Sequence, residues 1–120
     1  MIKVLIVDDS DFMRSIIKTY LVKNGFEDIE EAQNGLEALR KYKVLKPDIV
    51  TMDITMPEMN GLEVLKAIID FDSKANVVMV SAMGQEVMVR EAIMHGAKSF
   101  IVKPFKEDHV IKTLNKLLNL

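Results

Sequence analysis

Lys46-Pro47-Asp48-Ile49-Val50-Thr51-Met52-Asp53-Ile54-Thr55-Met56-Pro57-Glu58-Met59-Asn60-Gly61 reads as a short apolar strand that delivers one carboxylate, Asp53, to its C-terminal end. The chain then turns through Pro57 and Asn60-Gly61 into a helix. A carboxylate at the mouth of an otherwise buried strand is costly to keep ionised. It is either a satisfied helix cap or a group that faces a cleft and reacts, and the rest of the chain bears on that choice.

Two other runs share the character of Ile49 to Met52. Val4 to Val7 and Val77 to Val80 are continuously apolar and rich in β-branched residues, as strands covered on both faces read. These belong in the middle of a parallel sheet. Glu27 to Ala32 is charged at nearly every other position, and Ser99 to Lys103 holds only Phe100-Ile101-Val102 between polar residues, so both suit sheet edges. Between the runs lie stripes at helical spacing. Met13, Ile16, Ile17, Tyr20 and Leu21 end at Asn24-Gly25, a left-handed cap. Leu36, Leu39, Tyr42 and Leu45 follow Asn34-Gly35; Leu62, Leu65, Ile68 and Ile69 follow Gly61. Val89, Ala92 and Ile93 precede His95-Gly96, and Val110, Ile111, Leu114, Leu117 and Leu118 close the chain.

Five strands alternating with five helices predict a single α/β domain, a doubly wound parallel sheet with helices on both faces, because crossovers are right-handed. The charged edges fit the order 2-1-3-4-5, in part by analogy with flavodoxin-like sheets. In such sheets ligands sit beyond the carboxyl ends of the strands, where the winding reverses.

Composition narrows the function classes. The 120 residues carry 16 basic and 18 acidic side chains, mixed along the chain, for a net charge of -2. That balance has no nucleic-acid or anionic-membrane footprint, and points to a protein or a small molecule as partner. The absence of cysteine excludes disulfides and thiolate metal sites. Met1 to Val7 runs into Asp8-Asp9 too soon for a signal peptide or a membrane span, so a cytoplasmic location is expected. The nine methionines read mainly as gap-filling core side chains, and His95 and His109, isolated near helix ends, as surface residues.

Asp8 and Asp9 end the first strand, Asp53 ends the third, Ser81 the fourth and Lys103 the fifth. Each alone has an ordinary explanation: Asp8, Asp9, Ser10 and Asp11 as helix caps, Asp53 as a turn former, Ser81 bonded to backbone, Lys103 solvated before a proline. Parallel strands put all of them at one edge, and that joint placement is what favours a site. Three crowded carboxylates raise one another's pKa unless a cation sits among them. Oxygen ligands without His or Cys select a hard ion, so Mg²⁺ is the expected cofactor. A carboxylate can attack phosphorus and become an aspartyl-phosphate, given metal and ammonium to neutralise the transferring group.

Asp8-Asp9, Asp53, Ser81-Ala82 and Lys103-Pro104-Phe105, at these intervals across the whole chain, resemble the receiver domain of two-component response regulators. The stretches Met52 to Gly61 and Val80 to Gln85 resemble in particular its stand-alone chemotaxis members. The resemblance implies that residues 1–120 form one receiver domain, not an enzyme beyond its own phosphorylation and dephosphorylation. It implies a phosphoryl group received on Asp53 from a histidine kinase of the CheA type. Asp8, Asp9, Asp53 and the backbone carbonyl of Thr55 would serve Mg²⁺, with Asp8 acting mainly through waters. Lys103 would pair with the phosphoryl oxygens. Ser81 would move to a phosphoryl oxygen after transfer, beside a small Ala82, and Phe100, at the aromatic switch position, would turn inward into the space left. A phenylalanine there has no hydroxyl to donate outward. The Lys103-Pro104 bond is usually cis in relatives, and Thr55 and Met83 occupy positions that tune hydrolysis.

Phosphorylation in this family biases a pre-existing equilibrium at the face of the fourth helix, fifth strand and fifth helix. Here that face would include Val87, Met88, Arg90, Glu91, His95, Lys98, Phe100 and Lys106, with at least one of Val87, Met88 and Val89 in the core. The partner there would be a bacterial motor switch protein or an archaeal motor adaptor, and the chain a monomer. A phosphorelay intermediate handing its phosphoryl group to another histidine protein is the alternative. A nucleotide or flavin binder on the same topology would want a Ser-, Thr- or Gly-rich cradle where this chain has Asp8-Asp9-Ser10-Asp11. A small-substrate phosphatase would need a cap segment that 120 residues do not provide.

Overall fold

In the computed structural model, which describes residues 1–120, strands and helices alternate: β1 (Lys3–Val7), α1 (Asp11–Lys23), β2 (Asp28–Ala32), α2 (Gly35–Leu45), β3 (Ile49–Asp53), α3 (Gly61–Phe71), β4 (Val77–Ser81), α4 (Glu86–Met94), β5 (Ser99–Val102) and α5 (Glu107–Leu118). All strand pairs are parallel, in the flavodoxin-like order β2-β1-β3-β4-β5, with the three apolar runs inside and the two charged runs at the edges as expected. Val7 pairs with Met52, Asp53 with Val80 and Ser81 with Val102, so the strand ends that matter lie level with one another.

Alternation along each strand divides the interior into two layers. Leu5, Val7, Val50, Met52, Val77 and Met79 point into the layer that also holds Ala38, Tyr42, Val64, Leu65, Ile68, Val89 and Ala92 from α2, α3 and α4. Val4, Ile6, Ile49, Val78 and Ile101 face the opposite layer, closed by Ile17, Leu21, Val110, Ile111 and Leu114 of α1 and α5. No helix is long and apolar enough to cross a membrane.

Local chemistry sets the helix starts. The Ser10 hydroxyl accepts from the Met13 N–H, Asn34 from Glu37 and Asn60 from Glu63, and Glu63 returns a bond to the Asn60 N–H to complete a capping box. Gly25 ends the α1 turn at φ 90, as the Asn24-Gly25 pair predicts.

The stripes are right in kind and displaced in two places. The inner face of α2 is Gly35, Ala38 and Tyr42, whereas Leu36 is 71% exposed. A Cβ on Gly35 would stand 2.7 Å from Val64 Cγ2, so close approach to α3 selects the glycine and rotates Leu36 outward. On α4 only Val89 and Ala92 are buried; Ile93 is exposed. Of the consecutive trio, Val89 is core, Met88 half-buried and Val87 exposed. Met52, Met56 and Met79 fill the core as expected, but Met83 and Met94 do not: both are exposed near α4. His95 and His109 lie on the surface.

Candidate functional site

The carboxyl edge of the sheet gathers the polar groups of four strands. Asp8 and Asp9 leave β1, Asp53 ends β3, Ser81 ends β4 and Lys103 follows β5. One carboxylate oxygen from each of Asp8, Asp9 and Asp53 lies within 4.8 Å of the others. Asp8 is 2% and Asp53 5% exposed, while Asp9 is open to solvent. Lys103 Nζ stands 3.3 Å from Asp53 Oδ1 and 3.7 Å from Asp8 Oδ2, and the Lys103-Pro104 peptide is cis.

One ammonium does not balance three carboxylates. Burial pushes Asp53 up from 3.8 to about 6, and the neighbouring charge of Asp8 adds to it against the opposing pull of Lys103. Asp8 is raised as well, again chiefly by burial, although the Ser10 N–H at 2.9 Å from Oδ1 and the charge of Lys103 work the other way. Asp8 Oδ2 is buried and accepts no hydrogen bond. A buried carboxylate oxygen without a donor, at the centre of an all-oxygen acidic cluster, suits a hard divalent cation such as Mg²⁺.

Ser81 is buried at the end of β4, where its backbone carbonyl accepts from the Lys103 N–H at 2.8 Å. Thr55, two residues past Asp53, is exposed between the buried Ile54 and Met56, and Ala82 and Met83 are exposed beside Ser81. Phe100 pairs with Met79 across β4 and β5 and stands 45% exposed. It borders an apolar groove of about 740 Å³, with Ala82, Met83, Val89, Ile93 and Met94, that reaches Ser81. Arg90, Glu91, His95, Lys98 and Lys106 are exposed, and Glu91 pairs with Lys66 of α3 at 3.5 Å.

Three residues of the site have roles that the sequence reading missed. Gly61 does more than form a turn: a Cβ there would meet the Asp53 carbonyl oxygen at 2.1 Å, so the start of α3 is pressed against the strand end carrying Asp53. Arg14 is buried where the α1 stripe leaves room for an apolar residue; its Nη1 donates to the Asp8 carbonyl at 2.5 Å, its Nε to Glu31 Oε1 at 3.0 Å, and its Nη2 to Asp11. An arginine three residues before Ile17 and seven before Leu21 was the available signal. Gln85 bonds Ala82 and Thr55 together, which no pattern in the chain announces.

Residues 4–115 match the family model described as the response regulator receiver domain. The chemotaxis protein CheY of Bacillus subtilis is 58% identical over 117 residues, covering 98% of each chain. The CheY of Thermotoga maritima is 57% identical over 115 residues, covering 96% of each. Among solved structures, a chain of the CheX-CheY-BeF3-Mg complex from Borrelia burgdorferi superposes with a TM-score of 0.91 at 42% identity, over 98% of this chain and 89% of that one.

Proposed function

This chain belongs to the response regulator receiver family, and is a chemotaxis regulator of the CheY type; from that premise we propose that it is a stand-alone cytoplasmic phosphoacceptor that takes a phosphoryl group on Asp53 from a histidine kinase of the CheA type. The observation that carries this reading is the contact of Lys103 Nζ with Asp53, 3.3 Å away, inside the cluster made with Asp8 and Asp9.

In the transfer, an Asp53 carboxylate oxygen bonds to phosphorus as the bond from phosphorus to the kinase imidazole breaks. The electron pair stays on the departing nitrogen. Lys103 offers N–H donors toward the charge on the phosphoryl oxygens, from an edge where burial already makes electrostatics strong. Asp8, Asp9, Asp53 and the Thr55 carbonyl would hold Mg²⁺, which when bound supplies neutralisation of the transferring group. Asp53 must be ionised to attack, so protonation near pH 6 opposes the reaction in the metal-free protein.

Once phosphorylated, Asp53 carries charge that the buried Ser81 hydroxyl can bond, drawing the end of β4 toward it. Phe100 then turns from its half-exposed position into the groove beside α4. The altered face of α4, β5 and α5 would bind a motor switch protein or an archaeal motor adaptor. Intact mass after incubation with acetyl phosphate and Mg²⁺ tests the assignment: one added phosphate on wild type and none on Asp53→Asn is expected. No adduct on wild type, or the same adduct on the variant, rejects it.

A further inference from the structure

Gln85 occupies the cap position before α4, yet its side chain does not cap that helix. Its amide oxygen accepts from the Ala82 N–H at 2.7 Å, and its amide nitrogen donates to the Thr55 hydroxyl at 2.7 Å. In α1, α2 and α3 the corresponding side chain accepts from a first-turn N–H, whereas Lys106 before α5, like Gln85, caps nothing. The first-turn donors of α4 therefore have no side-chain cap, and the residue that would supply one is bound to two loops. One loop follows β4 and carries Ala82; the other follows β3 and carries Thr55.

Between Ala82 and Gln85 little else holds the chain. Met83 and Gly84 are exposed, and nothing lies within 4 Å of where a Gly84 Cβ would be. The amide of Gln85 is thus the side-chain link from this loop to the edge carrying Asp53. Resting on the phosphoacceptor reading, Ser81 can approach a phosphoryl group on Asp53 only by carrying its neighbour Ala82 with it. The Ala82 N–H is already engaged by Gln85, and Gln85 is anchored on Thr55.

We propose that Gln85 is a positioning residue: through Ala82 and Thr55 it holds the loop after β4, and with it the first turn of α4, in the unphosphorylated arrangement. Phosphorylation then has to displace this tie before α4 can shift. Two bonds in a solvated position change an equilibrium by a modest factor, about two- to tenfold.

The test compares wild type, Gln85→Ala, Thr55→Val and the double variant. Thr55→Val removes the hydroxyl and keeps the backbone carbonyl. Hydrogen exchange is followed at the Val89 amide, which donates to the Gln85 carbonyl at 3.0 Å and reports opening of the first turn of α4. Without metal, exchange there should quicken about two- to tenfold in either single variant, with no further gain in the double. With Mg²⁺ present, beryllofluoride, a phosphoryl analogue, should bind Gln85→Ala about two- to tenfold more tightly than wild type. Unchanged exchange in either variant, additive effects in the double, or equal or weaker beryllofluoride binding by Gln85→Ala overturns the proposal. The two readings fail differently: wild type that binds no beryllofluoride and takes no phosphate rejects the phosphoacceptor assignment and the switch role with it. Wild-type binding with unchanged Gln85→Ala affinity rejects Gln85 alone.

Discussion

Replacing Asp53 with asparagine should stabilise the metal-free protein at neutral pH. Asp53 is held near a pKa of about 6 against an ordinary 3.8, because it is buried beside Asp8. At pH 7 the native state therefore carries a carboxylate that would rather be protonated, while the unfolded chain ionises the same group in water. A folded pKa raised in this way means that the native state binds more protons than the unfolded one between pH 4 and pH 6, so stability falls as pH rises through that window and stays lower above it. At about 1.4 kcal/mol for each tenfold change in ionisation, the penalty reaches about 3 kcal/mol. Solvent at the open mouth of the cleft screens part of it, which leaves about 1–3 kcal/mol. Asparagine keeps the shape and removes the charge. In EDTA at pH 7.5, Asp53→Asn should gain that amount in urea unfolding and melt higher by about 3–5 °C for each kcal/mol. At pH 4 the gain should shrink to about half a kcal/mol, because wild-type Asp53 is by then protonated in the native state. A variant no more stable than wild type at pH 7.5, or one with an equal gain at pH 4, would refute the electrostatic account of this cleft.

Mg²⁺ should raise the wild-type melting temperature by binding the folded state preferentially, with about 1.4 kcal/mol gained at ten times the dissociation constant; Asp9→Asn should abolish the response, and a wild-type melt indifferent to millimolar Mg²⁺ counts against the metal site. Lys103→Met removes the charge that holds Asp53 down. The acid limb of the pH profile for acetyl phosphate labelling should then move to higher pH and the maximal rate should fall at least about tenfold, whereas an unshifted limb would separate Lys103 from the nucleophile. Gly61→Ala places a Cβ against the Asp53 carbonyl, with backbone on both sides of the clash, and should cost more than about 2 kcal/mol in chemical denaturation. Gly84→Ala meets no atom and strains only a φ of 92, so about 1 kcal/mol is expected; equal losses at the two glycines would mean that α3 is not pressed on the strand end.

Much of this architecture is legible because burial on both faces leaves a strong signature. Val4 to Val7, Ile49 to Met52 and Val77 to Val80 admit almost nothing polar, and they are the strands with neighbours on either side. The placement of Asp8, Asp9, Asp53, Ser81 and Lys103 at one edge then follows from parallel topology, without any knowledge of distances. Leu36 and Ile93 are a different matter. A hydrophobic stripe marks which helix faces are apolar, but the angle at which a helix docks depends on the smallest residues at the contact. Gly35 and Ala38 let α2 approach Val64, and so set which leucine is left outside. The bonds of Arg14 and Gln85 escape detection for a related reason. Each joins loops or strands brought together only by the fold, and Arg14 reaches a backbone carbonyl, which has no sequence identity to read.

The cost of the acidic cleft and the reactivity proposed for it have the same source. Burial raises Asp53 and leaves Asp8 Oδ2 without a donor, so the metal-free site is held in an unfavourable state by packing around it. The packing that maintains it includes Val7 and Met52 in β1 and β3, Gly61 against the Asp53 carbonyl, and Arg14 on the Asp8 carbonyl. A cation among these oxygens removes repulsion that the fold otherwise sustains, so its binding energy is set largely by how closely the backbone holds the carboxylates. Loosening the support at Gly61 should therefore weaken Mg²⁺ binding as well as stability, although neither atom of that contact would touch the ion. A Gly61→Ala protein that unfolds more easily yet binds Mg²⁺ as wild type does would show that the carboxylates find the metal by their own flexibility, and that the strand ends need not be held so tightly.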